Sequence, residues 1–343
     1  MKSIKDKDRT MKSVKLAVCL LTLSLLVAGC GKPERADDPL PSWNDGPSKK
    51  SIVEFVEKVT TKGGADFVPP AERIAVFDND GTLWSEKPVV QGMFLLHQLE
   101  RMAKKDPSIR TKQPFKAAFE HDKKYLHTAG MPAIVELFAA THAGMSQEVF
   151  KADVEEFFAK VKHPTLGVPV GQVVYDPMIE LLEYLRANDF KTYICSGGGI
   201  DFMRVLSTRL YGIQPEQVIG SSMKKELQQV DGKWVLSRTG KLDSFNDMEV
   251  KPVNIDLHIG IRPLLAMGNV RSGGDIGMLS YSQGREGPSL QLLVNHDDEK
   301  REFAYAEADN ASISAAKVNG WLVVSIKNDW KSVFQFSEIR REQ

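Results

Sequence analysis

Two kinds of hydrophobic pattern alternate along the chain. The short apolar run at residues 73–77 and the mainly apolar segment at residues 190–195 predict buried β-strands, because a strand covered on both faces carries apolar side chains at most positions. Apolar residues spaced three or four positions apart predict amphipathic helices at residues 178–188 and 200–210. Strands that alternate with helices in this way predict an α/β fold, a doubly wound, Rossmann-like parallel sheet.

The remaining segments extend this pattern unevenly. Residues 89–174 show mostly helical spacing and contain no strong strand signal. Residues 218–238 read as strands around the turn Asp231-Gly232. A helix is predicted at residues 51–60, and further strands are predicted at residues 262–267, 289–294 and 321–326.

The first 30 residues have the features of a secretory signal. Lys12 and Lys15 precede an apolar run at residues 16–27, which is shorter than the about 20 residues of a membrane-spanning helix. The run ends in Val27-Ala28-Gly29-Cys30, which resembles the bacterial lipobox. The resemblance implies that Cys30 is acylated and anchors the mature protein to a membrane. An ordinary signal or an uncleaved anchor is the alternative.

Residues 31–50 are polar, contain four prolines and predict a tether between membrane and domain. Gly31 follows Cys30 in place of the Asp that often retains lipoproteins at the inner membrane. The sequence therefore predicts an exported protein at the periplasmic face, with the outer membrane favoured. Besides Cys19 and Cys30, only Cys195 is a cysteine, so no disulfide is expected within the mature chain.

Composition sets further bounds. The chain has 343 residues, enough for one large α/β domain with an insertion. Its 45 basic and 45 acidic side chains give a formal net charge of zero, so no field attracts polyanions and no nucleic-acid partner is expected. The seven histidines show no zinc-ligand spacing.

Two carboxylates follow directly after the strand predicted at residues 73–77. Asp78 and Asp80 would lie at the ligand-binding edge of a parallel sheet, with Thr82 in the turn behind them. Like charges this close are costly unless a cation lies between them, and a hard divalent ion such as Mg²⁺ prefers oxygen ligands. A surface turn is the alternative, because Asp-Gly is a common turn pair.

The segment Phe77-Asp78-Asn79-Asp80-Gly81-Thr82-Leu83-Trp84 resembles the first motif of haloacid dehalogenase (HAD) superfamily phosphatases. Other blocks of the chain resemble a bacterial group labelled phosphoserine phosphatase-like. The resemblance implies that Asp78 is a nucleophile that forms an aspartyl phosphate, with Asp80 as general acid and base. Dehalogenases of the superfamily lack the second Asp, so Asp80 favours a phosphatase.

The resemblance also implies the other site residues. Ser196 and Gly197 would bind phosphoryl oxygens, although Ser196 is equally suited to cap a helix. Lys251 would balance the negative charge, with Lys241 as a competing candidate. Asn269 and Asp275 are the candidate metal ligands beside Asp78 and Asp80. Asn269 stands where the family pattern has Asp, which leaves open which of the two binds the metal.

The resemblance divides the chain into a core and a cap that closes over the site. The predicted function is Mg²⁺-dependent hydrolysis of a small phosphomonoester. A ligand-binding lipoprotein with a decayed site and a phosphocholine-specific phosphatase are the alternatives. The predicted divisions are a signal at 1–30, a tether at 31–50, the core at 51–88 and 175–343, and the cap at 89–174.

Three weaker patterns complete the predictions. Trp84, Phe94 and Tyr125 are candidates for an aromatic wall around a cationic head group, although packing roles are the simpler interpretation. Asp201 and Arg204 are spaced for an exposed ion pair on one helix. The charged run at residues 297–302 predicts a solvated face.

Overall fold

The computed structural model of the protein describes residues 38–271 and 273–336. The elements below all belong to the compact unit of residues 39–343. Within the described residues, no helix combines the length and apolar character needed to cross a membrane. The predicted signal segment and Cys30 lie outside the described residues.

Helices and strands alternate along most of the chain. The helices are α1 (Pro47–Thr60), α2 (Val90–Lys105), α3 (Phe115–Phe119), α4 (Lys123–His142, kinked at Gly130), α5 (Gln147–Lys160), α6 (Asp176–Ala187), α7 (Ile200–Tyr211), α8 (Val250–Ile259), α9 (Ile276–Gln283), α10 (Ala311–Asn319) and α11 (Ile326–Asp329). The strands are β1 (Ile74–Phe77), β2 (Lys191–Gly199), β3 (Val218–Val230), β4 (Lys233–Ser244), β5 (Leu265–Asn269), β6 (Leu290–Asn295) and β7 (Leu322–Ser325).

The strands form one seven-stranded sheet in the order β4-β3-β2-β1-β5-β6-β7. All neighbours are parallel except β3 and β4, which form an antiparallel hairpin. The chain first adds strands outward from β1 to β4 and then returns to β5 on the other side of β1. The predicted doubly wound sheet is confirmed, and its topological switch point lies between β1 and β5, where open α/β sheets bind ligands.

The central strands are buried along their whole length. All four residues of β1 and all five of β5 are buried, as expected for parallel strands with helices on both faces. Phe77 in β1 lies opposite Met267 in β5 and Ile194 in β2. This register brings the residues that follow the three strands to one edge of the sheet.

The segment before α1 is part of the fold. Leu40 and Trp43 are buried, and the Trp43 indole N–H donates to the carbonyl of Pro177 at 2.9 Å. Trp43 also packs edge to face on Trp330, with ring centroids 6.1 Å apart. The tether predicted through Lys50 therefore needs correction from Leu40 onward, because two large apolar side chains in a polar segment fasten it to the core.

Residues 89–174, called here the helical insertion, contain α2 to α5, in agreement with their helical pattern. The β3–β4 hairpin contacts this insertion, since Gly144 donates its backbone N–H to Arg238 at 2.8 Å and Arg238 donates to Met145 at 3.1 Å. The division into cap and core domains stays a prediction. The insertion has an apolar cluster of its own, formed by Leu95, Leu99, Ala118 and Leu137.

Candidate active site

The predicted carboxylates lie at the switch point of the sheet. Asp78 directly follows β1, and its backbone N–H donates to Met267 of β5 at 2.9 Å. Asp80 lies two residues further in the same turn, and both carboxylates are largely buried. The indole N–H of Trp84 donates to Asp80 Oδ1 at 2.9 Å, which orients that carboxylate.

A tight turn holds these residues in place. The carbonyl oxygen of Asn79 accepts backbone N–H groups from Leu83 at 2.9 Å and from Thr82 at 3.2 Å. Gly81 has a φ of +76°, and a Cβ there would lie 2.0 Å from the side-chain nitrogen of Asn269. The turn therefore requires glycine both for its backbone conformation and for the close approach of Asn269.

Lys251 connects the two sides of the switch point. It extends from the first turn of α8 and is 2 % exposed. Its ammonium donates to Asp78 Oδ1 at 2.9 Å and to Asp275 Oδ1 at 2.5 Å. Lys241, the competing candidate, is exposed on β4. The structure thus places Lys251, and not Lys241, beside the predicted nucleophile.

The charges of this cluster perturb one another. Burial alone would lower the pKa of Lys251, but the carboxylates of Asp275 and Asp78 outweigh it and raise the pKa, so the amine stays protonated. Burial, and then the nearby Asp78 charge, raise the pKa of Asp80. Burial and Asp78 likewise raise the pKa of Asp275, against the opposing effect of Lys251.

Asn269 and Asp275 occupy different roles. Asn269 ends β5, and its side-chain amide faces Gly81 and the hydroxyl of Tyr305 at 3.5 Å. Both oxygens of Asp275 are engaged, Oδ1 by Lys251 and Oδ2 by the backbone N–H of Asn269 at 2.9 Å. The contacts favour Asn269 over Asp275 as an additional metal ligand.

A hard cation suits this oxygen-rich site. Among the described residues, no group of three or more His, Cys, Asp or Glu side chains could hold a metal ion. Asp78, Asp80 and Asn269 would instead supply two carboxylates and one amide oxygen, the donor types that Mg²⁺ prefers. Burial, and then the nearby Asp78 charge, raise the pKa of Asp80 and so disfavour its charged form, which a bound cation would favour.

Ser196 lies beside this cluster on β2. Its hydroxyl accepts the backbone N–H of Gly198 at 3.1 Å, and Gly197 lies next to Asp247. Strand β2 continues through Gly199, and α7 begins directly after it. The side-chain oxygen of Gln91, from the helical insertion, accepts the backbone N–H of Gly199 at 2.8 Å.

Residues 75–278 match the haloacid dehalogenase-like hydrolase family, a span of more than half the chain. The chain belongs to this family. Membership of the HAD superfamily, as predicted from the first motif, is confirmed. No curated protein matches this HAD hydrolase.

Solved structures resemble this HAD hydrolase at low sequence identity. A conserved protein of unknown function from Anaerococcus prevotii is 16% identical with a TM-score of 0.55, covering 87% of this chain and 98% of its own. A protein of unknown function from Bordetella pertussis is also 16% identical with a TM-score of 0.46, covering 74% and 98%. A phosphoserine phosphohydrolase-like protein from Francisella tularensis is 17% identical with a TM-score of 0.37, covering 72% and 99%.

Several residues of the HAD hydrolase site carried no recognisable sequence signal. Gln91 lies at the start of α2, and its side-chain nitrogen is buried without a hydrogen-bond partner. Asp247 packs against Gly197 and Gly274, and burial raises its pKa. Arg271 pairs with the fully buried Glu86. For Glu86 and Arg271 the one available signal was proximity in sequence, because Glu86 follows the first motif and Arg271 follows Asn269 closely.

A buried polar network lies behind the catalytic turn. His296 donates from Nε2 to the carbonyl of Gly81 at 2.9 Å, and its Nδ1 lies 3.2 Å from Glu302. Glu302 also accepts the hydroxyls of Tyr175 at 2.8 Å and Ser85 at 2.9 Å. The solvated face predicted at residues 297–302 is therefore wrong for Glu302, which turns inward to support the turn.

The site opens into a cavity of about 1230 Å³. All of the predicted catalytic and ligand residues border it: Asp78, Asp80, Ser196, Gly197, Lys251, Asn269 and Asp275. The opposite wall belongs to the helical insertion and α7. Phe94 borders the cavity, but the other two members of the predicted aromatic wall do not. Trp84 instead stacks on Phe158, with ring centroids 6.2 Å apart, so no cage for a cationic head group forms.

Proposed function

We propose that this HAD hydrolase is a Mg²⁺-dependent phosphomonoester hydrolase that works through an aspartyl phosphate on Asp78. The observation that carries the proposal is the arrangement of Asp78, Asp80 and Lys251. A carboxylate paired with a buried ammonium at 2.9 Å lies two residues from a carboxyl group whose pKa is raised, at the mouth of one cavity. In this proposal Asp78 is the nucleophile, Lys251 balances the charge and Asp80 donates the proton.

The first chemical step begins at Asp78. Lys251 holds Oδ1, so Oδ2 is the oxygen available to attack phosphorus. The new bond between Oδ2 and phosphorus forms as the ester bond breaks, and the leaving oxygen takes the proton of Asp80. A raised pKa suits Asp80 to this role, because it keeps the carboxyl protonated closer to neutral pH.

The second step regenerates the enzyme. Asp80, now ionised, accepts a proton from a water molecule, whose oxygen attacks phosphorus and releases inorganic phosphate from Asp78. Lys251 stabilises the charge on the phosphoryl group in both steps. Bound at Asp78 and Asn269, and at Asp80 only while that group is ionised, Mg²⁺ would supply further positive charge to the phosphate oxygens.

Replacement of the nucleophile tests the proposal. We expect Asp78→Asn to lower kcat for an aryl phosphate with Mg²⁺ by at least about 10³-fold, because the amide oxygen is a poor nucleophile. Asp231→Asn is the matched control, since Asp231 lies in the exposed turn of the hairpin at a φ of +48°, which Asn also adopts. Wild-type activity in Asp78→Asn would rule out the assignment.

A ligand-binding role without turnover is the second candidate, and Asn269 is the feature that favours it. An amide in place of a carboxylate reduces the negative charge that holds a cation. Mg²⁺-dependent release of phosphate by the wild-type protein, together with its loss in Asp78→Asn, would exclude this candidate.

We also propose that the protein is exported and anchored through an acylated Cys30. The lipobox-like segment supports this location. Labelling of cells with a clickable fatty acid should mark the wild-type chain and Cys195→Ala, but not Cys30→Ala. Cys195 is the matched control, because it is a buried thiol whose pKa burial raises to about 12. Labelling that survives in Cys30→Ala would refute the anchor.

A further inference from the structure

The cavity is much larger than the reaction alone requires. Its volume of about 1230 Å³ lies above the roughly 300–1,000 Å³ of typical small-molecule pockets, and a phosphoryl group fills a small fraction of it. The remainder extends from the catalytic residues into the helical insertion. This part of the cavity is available to the organic group of a bound phosphomonoester.

Apolar side chains dominate this part of the cavity. Six of them come from α2, α4, α5 and α7, and Phe94 packs edge to face on Phe150, with ring centroids 5.7 Å apart. An apolar ligand gains about 25 cal/mol for each Å² of its surface that leaves water. The six residues are Phe94, Ile134, Leu137, Phe138, Phe150 and Phe202.

The charged groups in this part are already held in ion pairs. Arg238 donates to Asp201 at 2.8 Å, and Asp201 also binds Lys225 at 2.7 Å. The guanidinium of Arg238 lies 3.9 Å from the centre of the Phe150 ring and so occupies that ring face. Burial lowers the pKa of His142 to about 4, which leaves the imidazole uncharged at neutral pH.

The remaining charged groups of the helical insertion face solvent. Glu100, His121 and Lys123 border the cavity and are exposed, and Glu100 is paired with Arg110. Asp247 and Arg271 border the cavity at its catalytic end, beside the phosphate site. A ligand ammonium or carboxylate buried among the insertion helices would need a counter-charge there, because an unpaired charge is costly to desolvate. The described part of the helical insertion offers none, and a quaternary ammonium would find the Phe150 face already taken.

We propose that the substrate is a phosphomonoester whose organic group is uncharged and mainly apolar. The proposal rests on the phosphatase function above and specifies its substrate class. The phosphate binds at the sheet edge, and the organic group lies along the aromatic and aliphatic wall of the helical insertion. Zwitterionic and quaternary ammonium esters, such as phosphoserine and phosphocholine, are correspondingly poor substrates.

A series of n-alkyl phosphates from ethyl to hexyl, below micellar concentrations, tests the proposal. The leaving alcohols differ little in acidity, so the series changes apolar contact and leaves the chemistry constant. We expect kcat/KM to rise about three- to fourfold per methylene. A flat or falling series, or faster turnover of phosphocholine or phosphoserine than of hexyl phosphate, would overturn the substrate class.

Wall variants provide the structural control. Phe138→Asn and Ile134→Asn place an amide on the cavity wall and should each lower the hexyl-to-ethyl ratio of kcat/KM at least about tenfold. Val149→Asn is the matched control, because Val149 is 52% exposed on α5 and does not border the cavity. Two positions are used because either wall variant alone could fail to fold. An unchanged ratio in a folded wall variant would contradict the proposal.

The failure of the substrate class and that of the phosphatase function are distinguishable. Asp78-dependent hydrolysis without a chain-length effect would remove only the substrate class. Absence of any Asp78-dependent hydrolysis would remove the phosphatase function. In that case, calorimetry gives the Kd values of hexylphosphonate and ethylphosphonate, which test whether the apolar wall binds a ligand. Equal Kd values would overturn the apolar wall as a binding surface.

Discussion

The two walls of the cavity are held together by different kinds of interaction. At the sheet edge, buried charges are held by direct ion pairs of 2.5 to 2.9 Å between Lys251 and its two carboxylates. On the wall of the helical insertion, rings pack with centroids more than 5 Å apart, and Arg238 is held in an ion pair with Asp201. The first wall is charged and its contacts are directional, whereas the second wall is mainly apolar.

The difference separates catalysis from selection. Ion pairs tolerate little displacement, because their energy depends on distance and on every partner being present. Apolar contacts depend mainly on buried area and tolerate changes of shape better. The residues of the two walls also come from different segments of the chain. Substitutions should therefore affect turnover at one wall and substrate preference or acid stability at the other.

The largest effect is expected from Lys251→Met. Its loss would leave Asp78 and Asp275 buried without their counter-charge, which costs about 3–5 kcal/mol of unfolding free energy. We expect kcat to fall by about 10³-fold as well. Denaturant unfolding in the presence of a chelator, together with a phosphatase assay, measures both quantities.

Two further variants sharpen that result. The double variant Lys251→Met/Asp275→Asn removes one of the stranded charges, so it should regain stability without regaining activity. Lys241→Met is the matched control, because Lys241 is exposed on β4, and it should behave as wild type. Full activity in Lys251→Met would contradict the conclusion that turnover depends on the charged wall.

The next effect concerns the acid stability of the apolar wall. The pKa of His142 is lowered to about 4 by burial, below the value of about 6.5 in an unfolded chain. The stability that the uncharged His142 imidazole contributes is therefore complete above about pH 6.5 and is lost as the pH falls toward 4. Over this window wild type should lose about 3 kcal/mol more than His142→Asn, which does not titrate.

Unfolding free energies at several pH values measure this difference. Asn is the chosen replacement because its amide can still donate to the Phe138 carbonyl, which the His142 Nδ1 atom reaches at 2.9 Å. The exposed His121→Asn serves as control and should follow wild type. Parallel curves for His142→Asn and wild type would show that the wall does not depend on an uncharged His142.

The smallest effect is expected from Gly81→Ala. The new Cβ would meet the Asn269 side chain, so we expect activity and apparent Mg²⁺ affinity to fall about 10- to 100-fold. Gly63→Ala is the control, because Gly63 has a φ of +79° but no atom within 4 Å of its would-be Cβ. Both variants should lose about 1–2 kcal/mol of stability from the left-handed backbone.

Assays of activity against Mg²⁺ concentration separate the two glycine variants. A loss of activity in Gly81→Ala alone would assign the effect to Asn269. Equal activity in both variants would show that the position of Asn269 has no influence on turnover.

The fold class and the segments that meet at the switch point were predictable from local pattern. Apolar runs and turn residues are local signals, so β1, β5 and the β3–β4 hairpin were predictable, and with them the positions of Asp78 and Asn269 at strand ends. The resemblance of residues 77–84 to the first motif was sufficient to predict the family.

Which charges pair, and which side chains line the same wall of the cavity, could be seen only in the tertiary structure. Lys251 reaches Asp78 across 173 positions of sequence, and Asp201 binds Lys225 and Arg238 instead of the nearby Arg204. Trp43 turned out to be part of the core although its segment is polar. The local pattern of a segment indicates which of its side chains are buried. The partner of a buried charge instead depends on distant segments that packing brings together.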